Sequence, residues 1–165
     1  MPVINATIDG VAVEIEEGCT GTQYYESHSD VVAMTVDGNA WDLSREIPAG
    51  AIVEAITLNS PAGLEILRHS CTHVMAQAVQ EIFPDVNLGI GPFITDGFYY
   101  DFGNIDSVTP ELMRDIDKRM KRIVKEGQAF RRRVVTEEEA REELADQPFK
   151  LELISTKGGG AQDAS

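Results

Sequence analysis

Ile52-Val53-Glu54-Ala55-Ile56-Thr57-Leu58-Asn59-Ser60-Pro61 decides the fold, because two kinds of local structure meet in it. The first seven residues are rich in β-branched and apolar side chains and read as a strand. Ser60 then suits a helix N-cap, and Pro61, with its fixed φ and missing N–H, suits the first helical position. Upstream of this junction the sequence is strand-like. Val11, Val13 and Ile15 alternate with Ala12, Glu14 and Glu16 after Asp9-Gly10, the signature of a β-hairpin. Val31 to Val36 runs into a second such turn at Asp37-Gly38, with room for a short helix between Thr20 and Glu26. Residues 1–59 therefore form a small mixed sheet of four or five strands, separate from the rest of the chain.

Downstream, a helix runs from Ser60-Pro61 to Phe83, and Pro84 stops it. Asn87 to Ile90 and Phe98 to Phe102 flank Gly91-Pro92 and a third Asp-Gly pair, Asp96-Gly97, and are expected to pair as one more hairpin. Thr109-Pro110 repeats the cap-plus-proline start, and Leu112, Ile116, Met120 and Ile123 give the apolar stripe of a helix that Gly127 ends. Phe130 to Val135 reads as a strand. Thr136-Glu137-Glu138-Glu139 is a capping box opening a short helix to Ala145, and residues 155–165 read as a C-terminal loop. The fold class is α+β, with a first domain over 1–59 and a second over 60–165.

The 165 residues carry a net charge of −14, with 42% hydrophobic and 7% aromatic residues, a globular composition that excludes a disordered or fibrous chain. Two cysteines, Cys19 and Cys71, cannot build a disulfide framework and form no Cys-x-x-Cys pair. No apolar run approaches the roughly 18 residues that span a bilayer, and the first residues lack the basic start of a signal peptide, so a cytoplasmic protein without membrane contact is expected. The charge is unevenly distributed. Residues 1–110 have net charge −14 and residues 134–165 net −5, whereas 111–133 have net +5. Screening over about 10 Å isolates such an island at ~0.1 M salt, so Lys121, Arg122, Arg131, Arg132 and Arg133 are candidate phosphate contacts. A solvated helix face accounts for the same charges.

The chemistry-bearing candidate is His69-Ser70-Cys71-Thr72-His73. Side chains four apart in a helix share one face, so two imidazoles converge there. Helical projection sets Leu64, Leu67, Cys71, Val74, Met75, Ala78 and Ile82 on one apolar stripe and the two histidines roughly opposite. Cys71 then reads as a small buried hydrophobe, and His28 as an exposed residue without a partner pattern. His-x-x-x-His supplies only two ligands where catalytic zinc takes three, so no metal site is assigned. No His-Glu-x-x-His, nucleophile elbow or phosphate-binding glycine loop is present.

Ile66-Leu67-Arg68-His69-Ser70-Cys71-Thr72-His73, followed by Leu88-Gly89-Ile90-Gly91-Pro92 and Asp96-Gly97-Phe98-Tyr99-Tyr100-Asp101-Phe102, closely resembles the threonyl-tRNA synthetases. Gly127 to Val135 and Pro148 to Ile154 look most like the bacterial, actinobacterial branch. The resemblance implies that 1–59 is a β-grasp TGS domain and that 60–165 is the first part of an α/β editing domain of the threonyl/alanyl-tRNA synthetase type. It implies an N-terminal fragment that binds tRNA(Thr) and hydrolyses mischarged Ser-tRNA(Thr), with His69, His73 and Lys150 catalytic and Tyr100 binding substrate. In this family ATP, Mg and Zn belong to a later domain, as does homodimerisation, so no cofactor and no aminoacylation are expected of this chain. The family's Asp-x-Cys-x-x-x-His block is also absent, leaving the editing site without one wall. Two other readings stand beside this one: a non-catalytic RNA-binding module built on the TGS fold and the basic block, and a metal-dependent trans-editing hydrolase.

Overall fold

The computed structural model of the chain describes residues 2–128 and 133–157, which form two compact units, one reaching to Arg68 and one starting at His69. The boundary thus falls within a helix, nine residues beyond the expected 59/60 junction. No helix among the described residues is long and apolar enough to cross a membrane.

The first unit is a five-stranded mixed sheet, which places the chain in the α+β class. Strands β1 (Val3–Ile8), β2 (Val11–Glu16), β3 (Val31–Val36), β4 (Asn39–Trp41) and β5 (Ile52–Thr57) lie in the order β2-β1-β5-β3-β4. Only the central pair β1 and β5 runs parallel; the other neighbours are antiparallel. Both hairpins turn on Asp-Gly with positive φ at each residue, 50° and 79° at Asp9-Gly10 and 50° and 81° at Asp37-Gly38. Those left-handed values match the type I′ turn that suits the twist of the flanking strands. Each aspartate also reaches across to the central strand: Asp9 Oδ1 accepts the Ala55 N–H at 2.7 Å and Asp37 Oδ1 the Ile52 N–H at 2.9 Å. The two turns therefore grip β5 from both sides, which couples hairpin geometry to sheet order.

One sheet face makes the core. Ala6, Ile8, Met34, Val36, Ile47, Ala51 and Val53 are buried there together with Tyr25. Tyr25 is the C-cap of a short helix α1 (Gly21–Tyr24), which Thr20 and Gln23 open with a capping box. Its hydroxyl donates to Asp9 Oδ2 at 3.0 Å, so the one polar tip in this core is satisfied. Burial first, then the bond and charge of Asp9, hold the Tyr25 phenol well above its ordinary pKa.

Helix α2 (Pro61–Ile82) starts where the sequence places it, with the Ser60 hydroxyl accepting the Gly63 N–H at 3.0 Å. In the second unit it is followed by an irregular ribbon. Strand β6 (Asn87–Leu88) pairs with β9 (Phe102–Gly103), and β7 (Phe93–Ile94) with β8 (Gly97–Phe98). The expected single hairpin is thus split into two short ladders. Its turn is Thr95-Asp96 rather than Asp96-Gly97, and neither Asp96 nor Gly97 has positive φ. The register that sets Phe93 opposite Phe98 wins over the Asp-Gly turn preference, in keeping with the weight of aromatic cross-strand pairs.

Helix α3 (Pro110–Glu126) has the Thr109 cap and ends on Gly127 at φ 63°. Ile123 is buried and Leu112, Ile116 and Met120 are half-buried, so the apolar stripe faces inward as its spacing requires. Helix α4 (Glu137–Glu143) opens with the capping box of Thr136 and Glu139. The expected strand over Phe130 to Val135 is not found in its described part: Arg133 to Val135 have no regular structure, and residues 129–132 lie outside the described residues. The expected C-terminal loop is also corrected. Helix α5 (Pro148–Lys157) carries Ser155, Thr156 and Lys157, and 158–165 lie outside the described residues. Pro148 stands at the first position of α5, where proline's fixed φ and missing N–H are at home.

Candidate functional site

Helix α2 presents the two imidazoles. Its buried residues in the second unit are Thr72, Ala76, Ala78 and Val79, and Thr72 is 1% exposed. Leu64 and Leu67 of the expected stripe are instead 37% and 43% exposed, and Cys71 is half-buried. Buried positions thus fall on both sides of the helix: Thr72, Ala76 and Val79 lie beside the histidines, whereas Ala78 of the expected stripe, 0% exposed, lies roughly opposite them. Apolar residues occur almost all round this helix, so periodicity alone does not select a side. The Thr72 hydroxyl donates to the His69 carbonyl at 2.7 Å, which keeps the burial of that polar group from being costly. His28, in the other unit, is exposed as expected but sets its ring edge-on to Tyr25 at 6.0 Å.

His69 and His73 stack, with ring centroids 4.9 Å apart and planes inclined by 26°. Phe93 of β7 lies 6.3 Å from the His69 ring, bringing the ribbon to the same place. From the far end of that ribbon Tyr100 contributes a ring that stacks on Phe102 at 4.7 Å and 17°. Lys150 of α5 puts its Nζ 5.9 Å from the centre of the Tyr100 ring, within reach of a cation–π contact. Its charge also acts on His73. Burial first, then His69 and Lys150, push the His73 imidazole below its ordinary pKa. Burial likewise lowers the Lys150 ammonium and raises the Tyr100 phenol. The four residues singled out in the sequence, from α2, the ribbon and α5, are brought together within one unit.

Three residues that sequence reasoning missed hold this arrangement. Gln147, just before α5, accepts the Leu88 N–H on its side-chain oxygen at 2.8 Å and donates its amide N–H to the Val86 carbonyl at 3.3 Å. Those bonds tie the start of α5 to β6, one helical turn before Lys150. Phe102 and Gly91 both bear on the Tyr100 ring. A glutamine between an aspartate and a proline carries no signal of its own, and Gly91-Pro92 reads as punctuation in the sequence.

Chemically, the His73 imidazole, held towards the neutral form with a second imidazole stacked beside it, can accept a proton from water or position it, and a nearby ammonium can meet a developing negative charge. Among the described residues no three His, Cys, Asp or Glu side chains converge, and two imidazoles leave a zinc ion short of the three protein ligands catalytic zinc requires.

The basic block is largely neutralised in place. Lys121 pairs with Asp117 at 2.7 Å, Arg122 with Glu81 and, at 3.8 Å, with Glu126, and Arg119 with Glu81 at 3.2 Å. Arg133 pairs with Glu143 at 2.5 Å, and Arg131 and Arg132 lie outside the described residues. Lys118 and Lys125 are exposed and form no ion pair among the described residues.

Comparison with known proteins places the chain beside aminoacyl-tRNA ligases along almost its whole length. More narrowly, it corresponds to the N-terminal region of bacterial threonine–tRNA ligases. It is 64% identical over 152 residues to the threonine–tRNA ligase of Cutibacterium acnes and 56% over 151 residues to that of Micrococcus luteus, in each case 92% of this chain and 22% of the relative. The Thermobifida fusca threonine–tRNA ligase is 49% identical over 165 residues, 99% of this chain and 25% of the relative. The chain thus spans about a quarter, or slightly less, of the curated relatives it matches. No protein-family model matches it.

Proposed function

We propose that this chain is the part of a threonine–tRNA ligase that removes serine wrongly esterified to tRNA(Thr), its first unit being a TGS domain and its second the opening part of the editing domain. The observation that carries the proposal is the convergence of the stacked His69 and His73 with Lys150 and Tyr100 in one unit. The parallel pair at the centre of a small mixed sheet supports the β-grasp reading of the first unit. Physics supplies the need. Serine lacks one methyl of threonine, and a methyl(ene) discriminates by about 1–3 kcal/mol, too little for accurate translation without a second sieve.

In this reading a water molecule attacks the ester carbonyl while His73 or His69 takes its proton or holds it in line. Lys150 stabilises the charge on the carbonyl oxygen, and Tyr100 shapes the floor of the pocket. The threonine methyl crowds the same space and spares the correct ester. Helix α3 adds phosphate contacts through Lys118 and Lys125.

The test replaces the matching segment of the Cutibacterium acnes enzyme by this chain and follows the release of serine from Ser-tRNA(Thr). The chimaera is expected to deacylate it and to spare Thr-tRNA(Thr), and His69→Ala and His73→Ala are each expected to remove about 10²- to 10⁴-fold of the rate. Losses below about threefold in folded variants of both would refute the assignment of the site to α2.

A further inference from the structure

The Tyr100 ring is closely packed. An added Cβ at Gly91 would lie 2.2 Å from Tyr100 Cδ2 and 2.5 Å from Cε2, so the aromatic ring lies directly over a backbone with no side chain. Phe102 stacks on the same ring at 4.7 Å with only 17° between the planes. Tyr100 lies in the segment between β8 and β9, two residues before Phe102, the first residue of β9. The Lys150 ammonium sits at 5.9 Å from the ring centre. A partly desolvated cation near an aromatic ring is attracted by the ring quadrupole, an interaction that does not involve the hydroxyl.

We propose that Tyr100 acts through its ring, as a shelf that seats the Lys150 ammonium, and that Gly91 and Phe102 are the positioning residues that hold this shelf flat. The inference rests on the proposed editing site, because that reading gives Lys150 its work. It assigns Tyr100 a task that its hydroxyl does not perform. The shelf accounts for a glycine at 91, since alanine there must push a whole ring aside rather than the flexible tip of a side chain. It also explains how a lysine on α5, a separate helix, is kept near the α2 imidazoles: Lys150 is among the causes that lower His73.

The experiment measures how fast the Lys150 amine is modified by trace acetic anhydride in the 165-residue chain, read by peptide mass spectrometry against the exposed Lys118 and Lys125 as internal references. A cation–π contact supports a seated-to-free ratio of roughly 2- to 30-fold, so Tyr100→Leu, Gly91→Ala and Phe102→Ala are expected to raise Lys150 modification within that range relative to Lys118. Tyr100→Phe, which keeps the ring, is expected to leave it within about 1.5-fold of the parent, a rescue that a hydroxyl-based role would not give. The proposal is overturned if Tyr100→Phe exposes Lys150 as much as Tyr100→Leu, or if neither Tyr100→Leu nor Gly91→Ala changes it. Should Tyr100→Leu fail to fold by circular dichroism, Gly91→Ala and Tyr100→Phe decide between the same two outcomes. Because labelling needs no tRNA, a chimaera that does not deacylate while the labelling pattern holds would sink the editing assignment and leave the shelf standing.

Discussion

Replacing Gln147 by leucine should loosen α5 and leave the five-stranded sheet untouched. The side chain is half-buried and makes two hydrogen bonds to β6 and the residue before it, 2.8 Å from the Leu88 N–H and 3.3 Å to the Val86 carbonyl. Leucine has similar bulk but neither polar group, so the packing changes little while both bonds go. An ordinary bond is worth about 0.5–1.5 kcal/mol net, and a part-buried N–H left without a partner costs about 1–3 kcal/mol. The Val86 carbonyl loses a longer and weaker contact, so a total of about 2 kcal/mol is the reasonable expectation. Other contacts of α5 include Phe149 beside Gly103, the Arg141 guanidinium donating to Ser155 at 3.1 Å, and Lys150 over Tyr100. At about 1.4 kcal/mol per factor of ten, local opening should become roughly 30-fold more frequent. Hydrogen exchange followed by mass spectrometry reads this directly, as faster exchange of amides in 148–155 with those of β1, β3 and β5 unchanged. Unchanged protection of α5 would show that Gln147 does not anchor it. An equal loss in the sheet would show that the two units do not open separately.

Asp9→Ala should cost the first unit about 2 kcal/mol or more in unfolding free energy, since it removes the acceptor for Tyr25 and for the Ala55 N–H and puts a Cβ-bearing residue without a local polar group at φ 50°. Asp9→Asn should cost clearly less, and equal losses in urea titrations would argue against this account. Because burial and neighbouring cations depress the His73 pKa below 6.5, the folded state prefers the neutral ring. Its contribution to stability is complete above pH 6.5 and is lost as pH falls through the folded value, at no more than about 1.4 kcal/mol per pH unit. Lys150→Met should move the His73 midpoint upward in an NMR titration, and a downward move would reverse the electrostatic argument. For tRNA binding, Lys118→Ala and Lys125→Ala should each lower the slope of log affinity against log salt by about 0.7–0.9, whereas ion-paired Lys121 should contribute less. Equal effects from all three would mean that the observed pairs do not compete with phosphate.

The contrast between the two units shows why one was legible in the sequence and the other only in part. In the first, key boundaries carry a local chemical cause: Asp9-Gly10 and Asp37-Gly38 adopt positive φ at two successive residues, and Thr20 caps α1. Strand alternation then has one buried face to select, with Ala6 and Ile8 in and Val3 and Asn5 out. The second unit is set by contacts far apart in sequence. The third Asp-Gly pair is not the turn because the ladder pairs Gly97 with Ile94, and α5 is tied down by Gln147 reaching 59 and 61 residues back. The histidine pair was visible because four-residue spacing is local, but the buried positions around it were not, since Leu64, Leu67, Ala76 and Ala78 set apolar side chains on several sides of α2 and only the neighbours decide which are buried. The same logic explains the site. His69 and His73 are placed by one helix and need no partner to meet, whereas Lys150 reaches them only because a glutamine holds its helix and a glycine makes room for the ring beneath it. Local signals therefore mark which residues carry the chemistry, and long-range positioning residues with no signal of their own determine whether that chemistry is assembled.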